Sequence, residues 1–179
     1  SDAGLLPVRQ LDQTIRLTEQ FAAALEDRRD PALTRQSILS MVRQRIYGIL
    51  ADYEDQNDHD TLRSDPVFKL VNDRLPDEPD LASQPTLSRF ENAVDTKSLF
   101  RMAEAIADVV IEAQRERRRG RARRITIDLD PTEDATHGQQ ELAFFNGHYD
   151  TWCYLPLTGT IVFDDEPDHF PVCAVLRPG

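Results

Sequence analysis

Arg124-Ile125-Thr126-Ile127-Asp128-Leu129-Asp130 alternates strictly between apolar and polar residues. Ile125, Ile127 and Leu129 fall on one side, Thr126, Asp128 and Asp130 on the other. A period of two belongs to a strand with one apolar face, because successive Cβ atoms point to opposite sides. Upstream the apolar period is helical. The change falls at Gly120, which reads as a helix C-cap and a domain hinge. The chain therefore divides into a helical region, residues 1–119, and the opening of a sheet domain, residues 120–179: an α+β organisation.

Working back from Gly120, Asp95 or Thr96 caps a long helix through Leu99, Met102, Ala103, Ile106, Val110 and Ala113. Gln84 to Phe90 starts a short helix, and the prolines at 76, 79 and 85 mark residues 76–85 as a loop. Asp65-Pro66 is an N-cap followed by proline at the first helical position, opening a helix to about Leu75. A helix from about Thr34 to Tyr53 has a wide apolar face and reads as central to the core. Another spans Leu11 to Leu25. Downstream, Tyr149–Leu157, Thr160–Phe163 and Val172–Leu176 read as strands, with a tight turn at Thr158-Gly159. Ser1 stands in place of Met and the chain stops straight after a strand, so an excised chain with a truncated sheet domain is expected.

The formal net charge of −11 argues by itself against a nucleic-acid partner. Its distribution qualifies that. Residues 1–110 carry 13 basic and 20 acidic side chains, residues 111–124 seven arginines and two glutamates, and residues 125–179 one basic and ten acidic. The middle segment is a basic collar of Arg115, Arg117, Arg118, Arg119, Arg121, Arg123 and Arg124. It either meets a polyanion backbone or packs as a helix end against acidic neighbours. No apolar run approaches the roughly 20 residues that span a bilayer, so no membrane association is expected. Cys153 and Cys173 are too few for a disulfide scaffold and read as buried thiols of a reducing, cytoplasmic compartment.

Asp128 and Asp130 share a strand face, and hard cations take such carboxylate oxygens. The plain alternative is the solvent face of an edge strand. His137 and Gln139 lie in a polar stretch whose spacing matches no zinc pattern. Asp52 to Asp60 has the composition of a calcium loop but lacks the required glycine and terminal glutamate, so it reads as a capped interhelical loop. Gln84, Thr86, Ser88 and Arg89 ahead of Phe90 have the composition of a helix presented to DNA, or of ordinary capping.

Several segments taken in order resemble one group of bacterial insertion-sequence transposases of the Asp-Asp-Glu type. They are Asp2-Ala3-Gly4-Leu5-Leu6, Arg45-Ile46-Tyr47-Gly48, Asp52 to Asp60, Ala82 to Asn92, Asp128-Leu129-Asp130, His137-Gly138-Gln139-Gln140 and Leu176-Arg177-Pro178-Gly179. The resemblance implies a ribonuclease-H-like catalytic domain after a helical DNA-binding or dimerising region. It implies Mg2+ or Mn2+ as cofactor, insertion-sequence ends as the DNA partner, and a homodimer. It places the first catalytic aspartate at Asp130, with Asp128 as the other candidate, and the second aspartate and the glutamate beyond Gly179. A chain ending there is expected to be inactive alone and to hold no metal. It also leaves His137 and Gln139 as candidates for an accessory role. A DNA-binding or dimerisation module without catalysis is the alternative.

Overall fold

The computed structural model describes residues 2–118 and 120–178. It divides into two compact units, Ser1–Ala105 and Ile106–Gly179. Helices come first and strands second, an α+β arrangement. No helix among the described residues is long and apolar enough to cross a membrane.

The first unit begins with α1 (Leu5–Ile15) and α2 (Leu17–Ala24). The single helix expected over 11–25 is broken at Arg16, which adopts a left-handed backbone (φ 57°). Its cause is a buried acid. Asp12 accepts hydrogen bonds from the Thr18 backbone N–H (2.9 Å), from the Thr18 hydroxyl and from the Tyr47 hydroxyl (3.1 Å). Arg43 lies 3.8 Å from the same carboxylate and also pairs with Asp73. Leu11, expected inward, is exposed, and Leu5 and Asp12 are the buried positions of α1.

Helix α3 (Ile38–Leu50) starts at its Ser37 cap rather than at Thr34, because Ser37 accepts from the Ser40 N–H at 3.1 Å. Met41, Val42 and Tyr47 form its buried face, whereas Ile49 and Leu50 are exposed. The calcium-like segment is a capped interhelical turn, with Asp55 accepting from the Asn57 N–H at 2.9 Å. It leads into α4 (His59–Leu62). Asp65 caps α5 (Pro66–Val71) by accepting from the Val67 and Phe68 N–H groups, as its Asp-Pro signature predicts. The helix stops short of Leu75, where Asp73 turns the chain at φ 60°. Leu5, Tyr47, Leu62, Phe68, Val71 and Leu81 make one core cluster. Met41, Ala82 and Leu87 make another.

The loop over 76–85 is not a loose connector. Side chains from α3, α5 and their flanking segments hold its carbonyls: Lys69 donates to Pro76 and Glu78, Arg74 to Pro79 and Asp80, Gln36 to Asp80, and Gln44 to Ala82. Gln44 also accepts from the Ala82 N–H at 3.0 Å. Helices α6 (Gln84–Asn92) and α7 (Thr96–Arg117) follow, the latter capped by Asp95, which accepts from the Ser98 N–H at 2.8 Å.

His59 is 0% exposed. Its Nδ1 lies 3.4 Å from Gln44 Nε2 and its Nε2 3.1 Å from Arg45 Nη1, and both neighbours are donors. A methyl group at Gly48 would sit 2.8 Å from His59 Cε1, so the glycine makes room for the ring. Burial and then the Arg45 guanidinium lower the imidazole pKa from 6.5 to about 4. With the folded value below the unfolded one, protons bind the unfolded chain preferentially. This contribution to stability is intact above the ordinary histidine pKa and is lost as pH falls toward the folded value. From pH 7 to pH 5 the loss should be on the order of 2 kcal/mol. Urea unfolding at the two pH values measures it, and His59→Gln should remove most of the difference; an undiminished difference would assign it elsewhere.

In the second unit, β1 (Ile125–Pro131), β5 (Leu157–Phe163) and β6 (Phe170–Val175) form an antiparallel sheet in the order β1-β5-β6. Strands β2 (Asp134–Ala135), β3 (Phe144–Asn146) and β4 (Thr151–Tyr154) form a second antiparallel sheet, ordered β2-β4-β3. The segment expected as one strand over 149–157 is divided between the sheets, with Leu155-Pro156 between β4 and β5. Thr158-Gly159 is not a turn: it lies within β5, beside a register shift at Gly159/Thr160. Glycine serves there because a Cβ would come within 3.0 Å of the Cys173 Cβ and 3.1 Å of the Leu129 side chain. Helix α7 ends at Arg117, and the cap expected at Gly120 rests on Arg119, which lies outside the described residues. Cys153 and Cys173 are free thiols, the former buried.

Candidate active-site strand and arginine collar

Asp128 and Asp130 stand on β1 opposite Thr160 and Thr158 of β5. Directly opposed residues of an antiparallel pair share a face. One face of this strand pair therefore carries two carboxylates and two hydroxyls. The other carries Ile125, Ile127 and Leu129, which are 56%, 65% and 58% exposed. All seven residues of β1 are exposed. Among the described residues neither carboxylate enters an ion pair. The Thr158 hydroxyl donates to the Asp130 backbone carbonyl at 3.2 Å, leaving the side chain open. Two uncompensated carboxylates on one strand face repel each other unless a cation lies near. No group of three or more His, Cys, Asp or Glu side chains able to hold a metal occurs among the described residues.

His137 and Gln139 lie between β2 and β3, both exposed, beside Gly138 at φ 79°. In α6 Thr86, Ser88, Arg89 and Asn92 make local contacts, while Gln84 is held through its backbone. The Gln84 N–H donates to Asp60 at 3.2 Å, Thr86 meets Ser83 and Arg89 through its hydroxyl, and Asn92 donates to the Ser88 carbonyl. Leu87 anchors this helix, fully buried, where Phe90 was the expected anchor and is only partly buried. Arg89, Thr86 and Phe90 border an open cleft of about 1260 Å³ in the first unit.

Three of the six described collar arginines are engaged in ion pairs. Arg117 pairs with Glu166 (3.2 Å) and Asp168 (3.4 Å), and Arg118 with Glu166 (2.6 Å) and Asp164. Arg124 pairs with Asp165. Arg118 also lies over the Phe163 ring, 5.3 Å from its centre. Among the described residues Arg115, Arg121 and Arg123 form no ion pair through their side chains; Arg119 lies outside them. Packing against acidic neighbours was one of the two expectations for the collar, but the particular partners were not identified in the sequence. The signal was there in Asp164-Asp165-Glu166-Pro167-Asp168, an acidic run directly after an apolar strand.

Residues 1–179 match the family model described as the transposase DDE domain, group 1. The chain belongs to that transposase family. Comparison with curated proteins and with solved structures finds no match. Membership in the transposase family agrees with the helical region preceding the sheets.

Proposed function

We propose that this chain supplies the first metal-binding carboxylate and the DNA-recognition region of a cytoplasmic, metal-dependent transposase. That enzyme cuts and rejoins phosphodiesters at insertion-sequence ends. Residues 1–119 serve recognition and dimerisation, and residues 120–179 open a ribonuclease-H-like domain whose first three strands are β1, β5 and β6. The observation that carries the reading is the Asp128/Asp130 pair, exposed on one face of β1 with hydroxyls across from it and no basic partner among the described residues.

Hard oxygen donors on a strand suit Mg2+ or Mn2+. Asp130 is the ligand, held in place because the β1–β5 ladder fixes its backbone, and two-metal sites tolerate little positional error. Bound magnesium or manganese would activate water or a 3′-hydroxyl and stabilise the leaving oxygen. Asp128 adds negative charge on the same face, drawing cations in and repelling bare phosphate. The arginines at 115, 117, 118, 119, 121, 123 and 124 hold the DNA backbone without reading sequence. Gln84, Thr86, Ser88 and Arg89 of α6 offer contacts to bases, and His137 and Gln139 are accessory. One triad carboxylate cannot hold two ions, so residues 1–179 alone are inactive. A second reading, a dimerising module without catalysis, draws on the exposed apolar row of β1.

Removing divalent metal tests the proposal. In the transposase that carries this chain, a chelator should stop end cleavage and added Mg2+ should restore it. Cleavage that continues in the chelator would sink the metal-dependent reading.

A further inference from the structure

The acidic partners of the collar arise from one place, the turn between β5 and β6. Asp164 leaves the strand in a left-handed conformation (φ 57°), and the Glu166 N–H closes the turn on the Phe163 carbonyl at 3.2 Å. The turn is clasped to the collar by its backbone. The Asp164 N–H donates to the Arg124 carbonyl at 2.8 Å, and its carboxylate accepts from the Arg123 and Arg124 N–H groups at 2.7 and 3.1 Å. Those bonds make Asp164 the structural member. The other three acids contribute side chains only: Asp165 to Arg124, Glu166 to Arg117 and Arg118, and Asp168 to Arg117.

A guanidinium fork fits a carboxylate and a phosphate with the same planar pair of donors. Three arginines in a short segment, each meeting a carboxylate on an opposing turn, present the charge pattern that a nucleic-acid backbone would otherwise meet. Two of the pairs are exposed, Arg124–Asp165 with 62% and 89% of their side chains open to solvent and Arg117–Asp168 with 51% and 54%, whereas Arg118 and Glu166 are 17% and 29% open. Ion pairs so exposed are weak and exchange readily.

We propose that the β5–β6 turn is an internal occupant of the arginine collar, standing in for DNA phosphate, which must displace Asp165, Glu166 and Asp168 to bind there. This rests on the collar being a DNA-backbone surface. The turn lowers non-specific affinity without removing the site. Only DNA held by further contacts, such as those of a recognised element end, displaces it efficiently.

The test is fluorescence anisotropy with a labelled DNA duplex of arbitrary sequence, at salt concentrations from about 50 to 200 mM. The variant is the triple Asp165→Asn, Glu166→Gln, Asp168→Asn, which spares the Asp164 clasp. A matched control, Glu133→Gln, Glu141→Gln, Asp150→Asn, makes the same change in net charge elsewhere in the unit. The turn variant should bind about tenfold more tightly at the lower salt, and its salt slope should steepen by about two, since each phosphate contact adds about 0.9. The control should gain much less and keep the wild-type slope. Adding Arg117→Ala, Arg118→Ala and Arg124→Ala to the turn variant should erase the gain. Thermal unfolding verifies that every variant is folded. Equal affinity and slope for wild type and turn variant overturn the inference, as does an equal gain in the control. If the arginine substitutions change affinity in neither background, the collar reading itself fails.

Discussion

In the proposed transposase, Asp130→Asn should abolish cleavage at insertion-sequence ends, while affinity for the ends should stay close to that of wild type. The amide keeps the size and the β1–β5 ladder but removes the negative charge that a hard cation requires. A metal supplies several kcal/mol of charge stabilisation in the transition state. Losing on the order of 4 kcal/mol slows the reaction about a thousandfold. Affinity should survive because the proposal assigns the DNA contacts to the collar and the helical region, and because removing a carboxylate near phosphate is not itself unfavourable. Asp128→Asn, two positions back on the same face, should slow the reaction far less. Single-turnover cleavage of end-containing DNA in Mg2+ measures both variants. If Asp128→Asn is the dead variant, the ligand assignment moves one step along the strand. If neither matters, the carboxylates are only the solvent face of an edge strand and the catalytic reading fails.

The second large effect concerns stability. Asp12→Ala should destabilise the helical unit by about 3 to 5 kcal/mol, because it leaves buried partners without their acceptor. The Thr18 N–H and hydroxyl and the Tyr47 hydroxyl all converge on that carboxylate, with Arg43 close by. Arg43 keeps Asp73, but it loses the carboxylate on its buried side. In a chain of this size the melting temperature would fall by roughly 10 °C. Asp12→Asn retains an acceptor oxygen and should cost less. Urea unfolding followed by circular dichroism distinguishes the two. A loss below about 1 kcal/mol for Asp12→Ala would mean that the network is dispensable and water replaces it.

The same carboxylate shows where sequence patterns mislead. Hydrophobic periodicity placed Leu11 inward and ran one helix through Arg16, because it has no means of scoring a buried aspartate as core. The actual boundary is set by Asp12 reaching Thr18, six residues on, a side-chain bond that competes with the helical ladder. Signals that are local in mechanism were legible. Asp65-Pro66 and Asp95 cap the helices they were expected to cap, and Ile125–Pro131 forms the strand that its period of two predicts. Thr158-Gly159 was misread because a glycine needed for close side-chain approach looks, in one dimension, like a glycine needed for a turn. The short strands β2 and β3 gave no periodic signal at all. For the site, the exposed face of Asp128 and Asp130 followed from the strand period. The pairing of the arginines did not, since Arg118 and Glu166 are 48 residues apart and only the fold brings them together.

The segment from Pro76 to Ala82 has the composition of a linker, and linkers usually drift freely in length. This one cannot. Its carbonyls are spaced to meet Lys69, Arg74, Gln36 and Gln44, and its last residues enter the core. An inserted or deleted residue would put every later carbonyl out of step with its donor and pull Leu81 and Ala82 from their seats. Among natural variants of this chain, substitutions should accumulate in that segment wherever only the backbone is used, while its length stays constant.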